Sequence, residues 1–548
     1  MPTDEEFEKA VEQLRNTAPG ETGLCAQAYK CLMMNEETRL MLKNIVLDFW
    51  QSGLCPEEWE TGLLKILAKK GDLGLPGNHR GIMLLEVSYK IVANILKMRL
   101  LPIEEELDHE SQCGFRPQRG CSDAVYTVKM ALKKRREHGL ESWVLFLDLV
   151  KAFDRVPRWM LWEVLKKFGV PIRIINLIKA LHERVNVEFN VEGITHTIQS
   201  AIGVKQGDIL GPILFTFYAA AIMISWRKVF GGPVSIFRTK PDFVMTGRSY
   251  RAYGEEFPLT DSEYADDTAV ILVSRNSVDE DVPLLLQHFD RWGMEVHAGD
   301  RKEKKDSKTE MLFCSKPAHM YEDPDTFDSA LNPIIPYLNP IELGNGRFIP
   351  IVASFVYLGS VIERDCSDEM DVRNRIEKAG NAFGAIRDNV LSSTKVSNES
   401  KNFVYCCIIL AILLYGSETW CLTESLLQEL RCFHARCVRN MCRVTRWHTH
   451  KHHISTSDLL ARLKLDTIDK YINKRQLRWA GHVARMPTSR LPRKMLSSWV
   501  RAKRPRGAPK MTYGRTLKKA LKAANVEFNG WHDIAQDRLQ WRNILNEL

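Results

Sequence analysis

Apolar positions recur at helical spacing through the first sixty residues: Phe7, Val11 and Leu14, then Leu40, Leu42, Ile45, Val46, Phe49 and Trp50, with Pro19, Gly20 and Gly23 between the runs. Two helices around a loop are expected there. Leu63, Leu64, Ile66 and Leu67, closed by Lys69, Lys70 and Gly71, read as a strand, followed by a Gly/Pro-rich loop to Gly81 and helices over 86–98 and 122–136. Trp143 to Leu149 is an apolar run broken only by Asp148, the pattern of a buried strand that delivers one carboxylate to its exit. Helical spacing returns over 159–168, 172–184 and 213–226, and 185–191 alternates as a strand. Thr268 to Ser274 is a strand rich in β-branched residues, directly after Asp266 and Asp267. Polar stretches over 237–262, 298–307 and 316–346 are expected to be insertions. Beyond Arg373 the pattern is helical, apart from a Pro-rich basic linker over 501–510.

Composition narrows the class. The chain has 548 residues, 45% apolar and 26% charged, enough for several domains with real cores and unlike a disordered chain. Its longest apolar stretch, Cys406 to Tyr415, is shorter than the ~20 residues that span a bilayer, and no charged-then-apolar leader follows Met1. An intracellular protein with no membrane association is expected. Thirteen cysteines, an odd number without dense spacing, fit reduced thiols better than a disulfide framework.

Charge is unevenly spread. Residues 431–520 hold 24 Lys/Arg against three Asp/Glu, a local +21 that leaves −12 for the rest of a chain whose total is +9. Such an excess collects a polyanion through phosphate contacts and counterion release. Cys432, Cys437 and Cys442, followed by His448, His450, His452 and His453, invite a zinc reading. Five-residue steps turn each cysteine about 140° around a helix, so the three would not converge, and no Cys-x-x-Cys occurs. A basic helix with small thiols is the plainer expectation.

Three carboxylates carry the candidate chemistry. Asp148 and the adjacent Asp266 and Asp267 lie 118 positions apart, so only a folded sheet brings them together. Neighbouring carboxylates repel unless a cation neutralises them, and oxygen ligands of this kind suit Mg²⁺, which accepts substrate phosphates. Two-metal phosphoryl transfer is the natural chemistry. Tyr264-Ala265-Asp266-Asp267 alone is equally a solvated hairpin turn. It gains weight from its company: Phe146 to Asp154 (FLDLVKAFD) and Gln206 to Pro212 (QGDILGP) precede it, each in the local structure it needs.

These blocks, with Asn78-His79-Arg80-Gly81-Ile82, Gly114-Phe115-Arg116, Lys308-Thr309-Glu310 and Tyr357-Leu358-Gly359-Ser360, resemble the reverse transcriptases of non-LTR (LINE-type) retrotransposons. Gln476 to Met486 (QLRWAGHVARM) resembles the post-polymerase region of such elements. The resemblance implies an α+β right-hand polymerase with fingers, a palm on an antiparallel sheet and a helical thumb, plus a mostly helical basic C-terminal region. The expected divisions are a helical N-terminal extension (1–60), fingers and palm (61–365), thumb (366–430) and a nucleic-acid-binding region (431–548).

The resemblance also implies roles. Asp148, Asp266 and Asp267 match the catalytic carboxylates that hold two Mg²⁺ ions, with Mn²⁺ as an alternative, and the Leu149 carbonyl matches a further ligand. Phe153 matches the aromatic under the sugar, whose bulk collides with a 2′-hydroxyl, so a deoxynucleotide is the expected substrate. Gln206 and Gly207 match the block that approaches nucleotide and template, where a Cβ would obstruct contact. Arg116, Arg80 and Lys308 match positions near the triphosphate, Lys308 being displaced by a charged insertion, Asp300 to Asp306. Tyr357, Leu358 and Gly359 match the turn that grips the primer.

Template RNA, primer or target DNA and deoxynucleoside triphosphates are therefore the expected partners, and nuclear residence is expected from the DNA product, with Arg501 to Arg506 a suggestive basic stretch. No endonuclease domain is recognisable, which leaves target nicking unassigned. The competing readings are an RNA-templated RNA polymerase, against which Phe153 argues, a group II intron maturase-like reverse transcriptase, and a catalytically inactive element relic that binds nucleic acid.

Overall fold

The computed structural model describes all residues except 70–71, 76–77, 108, 240–253, 317–338, 501 and 503–510. The chain forms two compact units, each assembled from separated stretches. One comprises Met1–Arg119, Asp148–Gly231 and Asp281–His297, the other Gly120–Leu147, Gly232–Glu280 and Ala298–Leu548. The Arg501 to Arg506 stretch and the 501–510 linker lie outside the described residues, save Ala502.

The first unit carries a four-stranded sheet in the order His79–Leu84, Thr61–Ala68, Asn186–Val191, Ile194–Gln199. Its outer pairs are antiparallel, while the central pair is parallel, as the long connection between those strands permits. Helices Val87–Glu105 and Leu210–Val229 are buried over most of their surface. The second is long and apolar enough to cross a bilayer, but 72% of its apolar window is buried inside the fold, as in a core helix.

Residues 1–60 belong to this unit. Helix Asp4–Glu12 opens with a capping box between Thr3 and Glu6. It docks on Val87–Glu105 through a Glu6–Arg99 ion pair at 2.9 Å and an Asn94 amide donating to the Ala10 carbonyl at 3.1 Å. A further helix, Ala26–Leu32, lies between the two that the apolar spacing predicts.

The second unit holds a five-stranded sheet in the order Ile351–Val352, Glu310–Cys314, Ser142–Leu147, Asp267–Leu272, Asp261–Tyr264. All its pairs are antiparallel except the first. Ser142–Leu147 is buried at all six positions, which is why its sequence runs apolar without alternation. Cross-strand aromatics tie the sheet: Trp143 stacks on Phe313 at 4.2 Å, and Phe146 on Phe355 of the neighbouring hairpin at 4.0 Å.

Several expectations change here. The polar stretch 237–262 is no plain insertion: its described ends form strands Ser235–Arg238 and Glu256–Leu259, and Asp261–Tyr264 is the outer strand of the main sheet. Periodicity hid that strand because Asp261, Ser262 and Glu263 are polar yet buried, each 1% exposed. Short strands Gly299–Asp300 and Ile341–Gly344 likewise fall within stretches read as insertions, and Trp499–Val500 interrupts the helical C-terminal half.

The expected boundary at residue 431 falls inside helix Glu424–Met441, whose Leu430, Phe433 and Cys437 join one core with Val372, Tyr405 and Ile472. A different core begins at Leu477, within helix Ile468–Ala484, and continues through Trp531 and Trp541. That core includes Tyr126, Met130 and Ala131 of helix Cys121–Glu137. The C-terminal region therefore shares its core with the second unit. Lys134 donates to the Met495 and Ser498 carbonyls and Arg490 pairs with the buried Asp123 at 3.4 Å. Trp499–Val500 adds to the edge of Ser235–Arg238. Deleting 431–548 would expose this core, so point substitutions are the only clean probe of its charge.

Candidate active site

The antiparallel register sets Leu147 opposite Thr268. Asp267 is the next residue beyond that pair on one strand. Asp148 is the next on the other, one peptide bond and about 3.8 Å in Cα from Leu147. In the adjoining hairpin Tyr264 faces Asp267, which leaves Ala265 and Asp266 as a two-residue turn. Ala265 takes a left-handed φ of 60°, as tight turns of this kind require. The turn sets Asp266 at its tip and Asp267 at the strand mouth, half-buried and exposed respectively.

In the first unit, the Asp148 carbonyl accepts from the His297 amide, and the Val150 amide donates to the Glu295 carbonyl, both at 2.9 Å. They form an isolated bridge between Leu149 and Val296. The bonds flank Leu149, so its own carbonyl points away from that segment. Among the described residues no group of three or more His, Cys, Asp or Glu side chains is gathered closely enough to hold a metal. Carboxylate and backbone carbonyl oxygens are hard donors, the class that Mg²⁺ takes.

Phe153 sits on the short helix Ala152–Arg155, entered through a left-handed Lys151. Its half-buried ring stacks on Phe215 at 4.6 Å and meets the edge of Phe115 at 6.1 Å, which fixes its plane. Gln206 and Gly207 form a loop whose Gln206 carbonyl accepts from the Met83 amide at 2.8 Å. Gly207 has φ 109°, and a Cβ there would lie 2.5 Å from the Met83 carbonyl oxygen. The glycine is thus required by the adjoining strand, a different reason from the nucleotide approach that the sequence suggested. Gly207→Ala is expected to cost about 1–3 kcal/mol of stability, read by urea unfolding; an unchanged midpoint would contradict this.

Sequence reasoning missed what supports this loop. Tyr89 donates to Asp208 at 2.6 Å, Asp208 accepts from the Leu210 amide at 3.2 Å to start the following helix, and the Lys205 ammonium lies 4.7 Å over the Tyr89 ring. Burial raises the Asp208 pKa and lowers that of Lys205. The available signal was the pair of opposite charges bracketing Gln206-Gly207.

The cations are placed differently from one another. Arg80 is exposed on strand His79–Leu84 of the first unit, and Lys308 is exposed just before strand Glu310–Cys314 of the second. Arg116, expected near the triphosphate, is buried: it pairs with Glu104 at 3.3 Å and donates to the His109 carbonyl at 2.6 Å. Its side chain is 2% exposed, which makes it an internal tie. Burial raises the Glu104 pKa and lowers that of Arg116.

The Tyr357-Leu358-Gly359 segment is a two-residue hairpin turn between strands Ser354–Tyr357 and Ser360–Glu363, with φ 47° at Leu358 and 82° at Gly359. Tyr357 is buried and donates to the Ser262 carbonyl at 3.0 Å, tying the hairpin to the strand that precedes the Asp266 turn. Tyr415 donates to the Leu358 carbonyl at 2.9 Å, and Arg375 donates to the Gly359 carbonyl while lying 4.3 Å over the Tyr415 ring. Below the turn, the buried Asp371 accepts from Ser360 at 2.6 Å, the Val361 amide at 3.0 Å, the Trp420 indole at 2.9 Å and Lys129 at 2.9 Å.

Residues 67–307 match the family model described as reverse transcriptase (RNA-dependent DNA polymerase). A probable RNA-directed DNA polymerase from transposon X-element of Drosophila melanogaster is 23% identical over 87% of this chain and 47% of its own length. The RNA-directed DNA polymerase from mobile element jockey of the same species is 23% identical over 73% and 39%. A transposon TX1 149 kDa protein of Xenopus laevis is 27% identical over 50% and 20%. The chain spans a fifth to about half the length of these relatives. An apo telomerase structure from Candida tropicalis aligns over 85% of this chain and 73% of its own at 11% identity, with a TM-score of 0.36.

Proposed function

We propose, from the premise that residues 67–307 are a reverse transcriptase domain, that this chain is an RNA-directed DNA polymerase of the non-LTR retrotransposon type. It adds deoxynucleotides to a DNA 3′ end on an RNA template, and acts where target DNA resides, in the nucleus. The observation that carries this reading is the register of the two central strands, Leu147 opposite Thr268. Asp148 follows the last paired residue of one strand, and Asp266 and Asp267 directly precede the last paired residue of the other. Two Mg²⁺ ions held by Asp148, Asp266, Asp267 and the Leu149 carbonyl would activate the primer hydroxyl and neutralise charge on the leaving pyrophosphate.

The chain's own residues do the rest. Arg80 and Lys308 approach the triphosphate, whereas Arg116 could do so only by breaking its pair with Glu104. Gln206 and Gly207 border the nucleotide, and the anchored Tyr357-Leu358-Gly359 turn holds the primer end. A DNA primer annealed to template RNA, with Mg²⁺ and all four deoxynucleotides, should be extended by the wild-type chain; no extension would favour the inactive nucleic-acid binder.

Phe153 is proposed as the sugar discriminator, because its plane is fixed by Phe215 and Phe115. Phe153→Val should raise ribonucleotide incorporation relative to deoxynucleotide by about tenfold to a hundredfold, the range a steric pocket supplies. An unchanged ratio in single-nucleotide extension would remove Phe153 from that role.

A further inference from the structure

Among the described residues of 431–520, the basic side chains include two populations. One is spent internally. Arg431 pairs with Asp469 and Glu424, Arg475 donates to the Leu414 carbonyl, Arg485 to the Ala535 carbonyl and Arg490 pairs with Asp123. The other population, exposed and in no ion pair, comprises Arg436, Arg443, Arg446, Lys451 and Arg462, and further along Arg478, Lys518 and Lys519. Five of these exposed cations fall between 436 and 462, with Asp458, beside Arg462, the one acid among them. Asp458 accepts from the Ser455 amide at 2.9 Å as a helix cap.

At the centre of that stretch is a protruding turn. Helix Arg446–Lys451 buries none of its side chains. It is held by its backbone: Arg443 takes φ 55° to end the preceding helix, the Val444 amide donates to the Arg439 carbonyl at 3.0 Å, and Thr445 caps the His448 amide at 3.1 Å. On it Trp447 is 66% exposed, with the Lys451 ammonium 4.7 Å from its ring centroid. The rings of His448 and His452 lie 4.3 Å apart on the same turn. An indole left in water beside unpaired cations contributes nothing to the core and has the composition of a base-stacking platform.

We infer that this turn binds single-stranded polynucleotide, with phosphates on Arg443, Arg446, Lys451 and Arg462 and an unpaired base on Trp447. A paired strand hides its base faces in the stack, so the exposed indole favours a single strand over a duplex. The inference rests on the proposed polymerase only in that such an enzyme must hold unpaired template. Its chemistry stands on these side chains.

The test measures binding of the full chain, by fluorescence anisotropy at several KCl concentrations, to labelled oligo(U), oligo(dT) and a blunt RNA–DNA hybrid of equal length. Trp447→Ala should weaken binding to one or both single strands about tenfold and to the hybrid less than about twofold, and Trp447→Phe should restore most of the loss. The two single strands separate RNA from DNA as the natural occupant. Replacing Arg443, Arg446 and Lys451 together by Ala should lower the slope of log affinity against log salt by about 2. Unchanged single-strand affinity in Trp447→Ala, or equal loss on single strand and hybrid, would overturn the inference. Primer extension by the wild-type chain is scored separately, so failure of the polymerase reading leaves this result interpretable.

Discussion

Asp266→Asn is expected to lower Mg²⁺-dependent primer extension by about a thousandfold while leaving template binding intact. Asparagine keeps the shape of the side chain at the tip of the Tyr264–Asp267 turn and removes its charge. The backbone strain there falls on Ala265, with φ 60°, and is untouched by the change. What would be lost is one anionic ligand for the proposed divalent ions, which would stabilise charge in the transition state. That stabilisation is worth several kcal/mol, and each 1.4 kcal/mol or so is a factor of ten in rate. Single-turnover extension of a labelled primer reads the effect. A variant within about threefold of wild type would place the chemistry elsewhere.

Lys129→Met should produce the largest loss of stability, about 3–5 kcal/mol at neutral pH. Lys129 is buried in helix Cys121–Glu137 and bridges two buried carboxylates, Asp368 at 3.1 Å and Asp371 at 2.9 Å. Asp368 keeps a second cation, Lys133 at 2.6 Å, but Asp371 would be left with neutral donors only. Burial works to raise both carboxyls. For Asp368 the two lysines outweigh it and hold the group at about 2, and Lys129 with Ser360 holds Asp371 below its ordinary value.

The sign follows from these directions. In the wild type the network's contribution is present above the ordinary carboxylate pKa and is lost as pH falls toward 2. In Lys129→Met, Asp371 is a buried charge without a cation, so the penalty is greatest at neutral pH and shrinks on acidification as Asp371 takes up a proton. Urea unfolding at pH 7 and pH 4 measures both limbs. A penalty independent of pH would indicate lost packing only. Because Asp371 also holds Ser360 and the Val361 amide beneath the Leu358-Gly359 turn, primer affinity should fall with stability.

The chemistry was more legible in the sequence than its support. Asp148 stands out because the buried strand before it runs apolar from Trp143 to Leu147, so a carboxylate at its exit is conspicuous. Asp266 and Asp267 are marked by the β-branched strand that follows them. The outer strand Asp261–Tyr264 was invisible because its buried polar residues break the apolar signal on which periodicity depends. Arg116 misled for the opposite reason: motif position implied a phosphate contact, whereas its partner Glu104 is apparent only once helix Val87–Glu105 has packed. The C-terminal boundary was set by charge. Cores are set by apolar contacts, and Tyr126 with Trp479 and Tyr513 shows that local charge density carries no information about them.

In the proposed mechanism, Asp148 and Asp266 serve the same divalent ions. A double-mutant cycle on Mn²⁺ affinity, followed by electron paramagnetic resonance with wild type, Asp148→Asn, Asp266→Asn and the double variant, tests it most directly. Groups that share ligands are not additive, with coupling of about 0.5–3 kcal/mol. If the two carboxylates share ions, the double variant loses little more affinity than the worse single variant. Losses that simply sum, or single variants that bind Mn²⁺ as the wild type does, would contradict it.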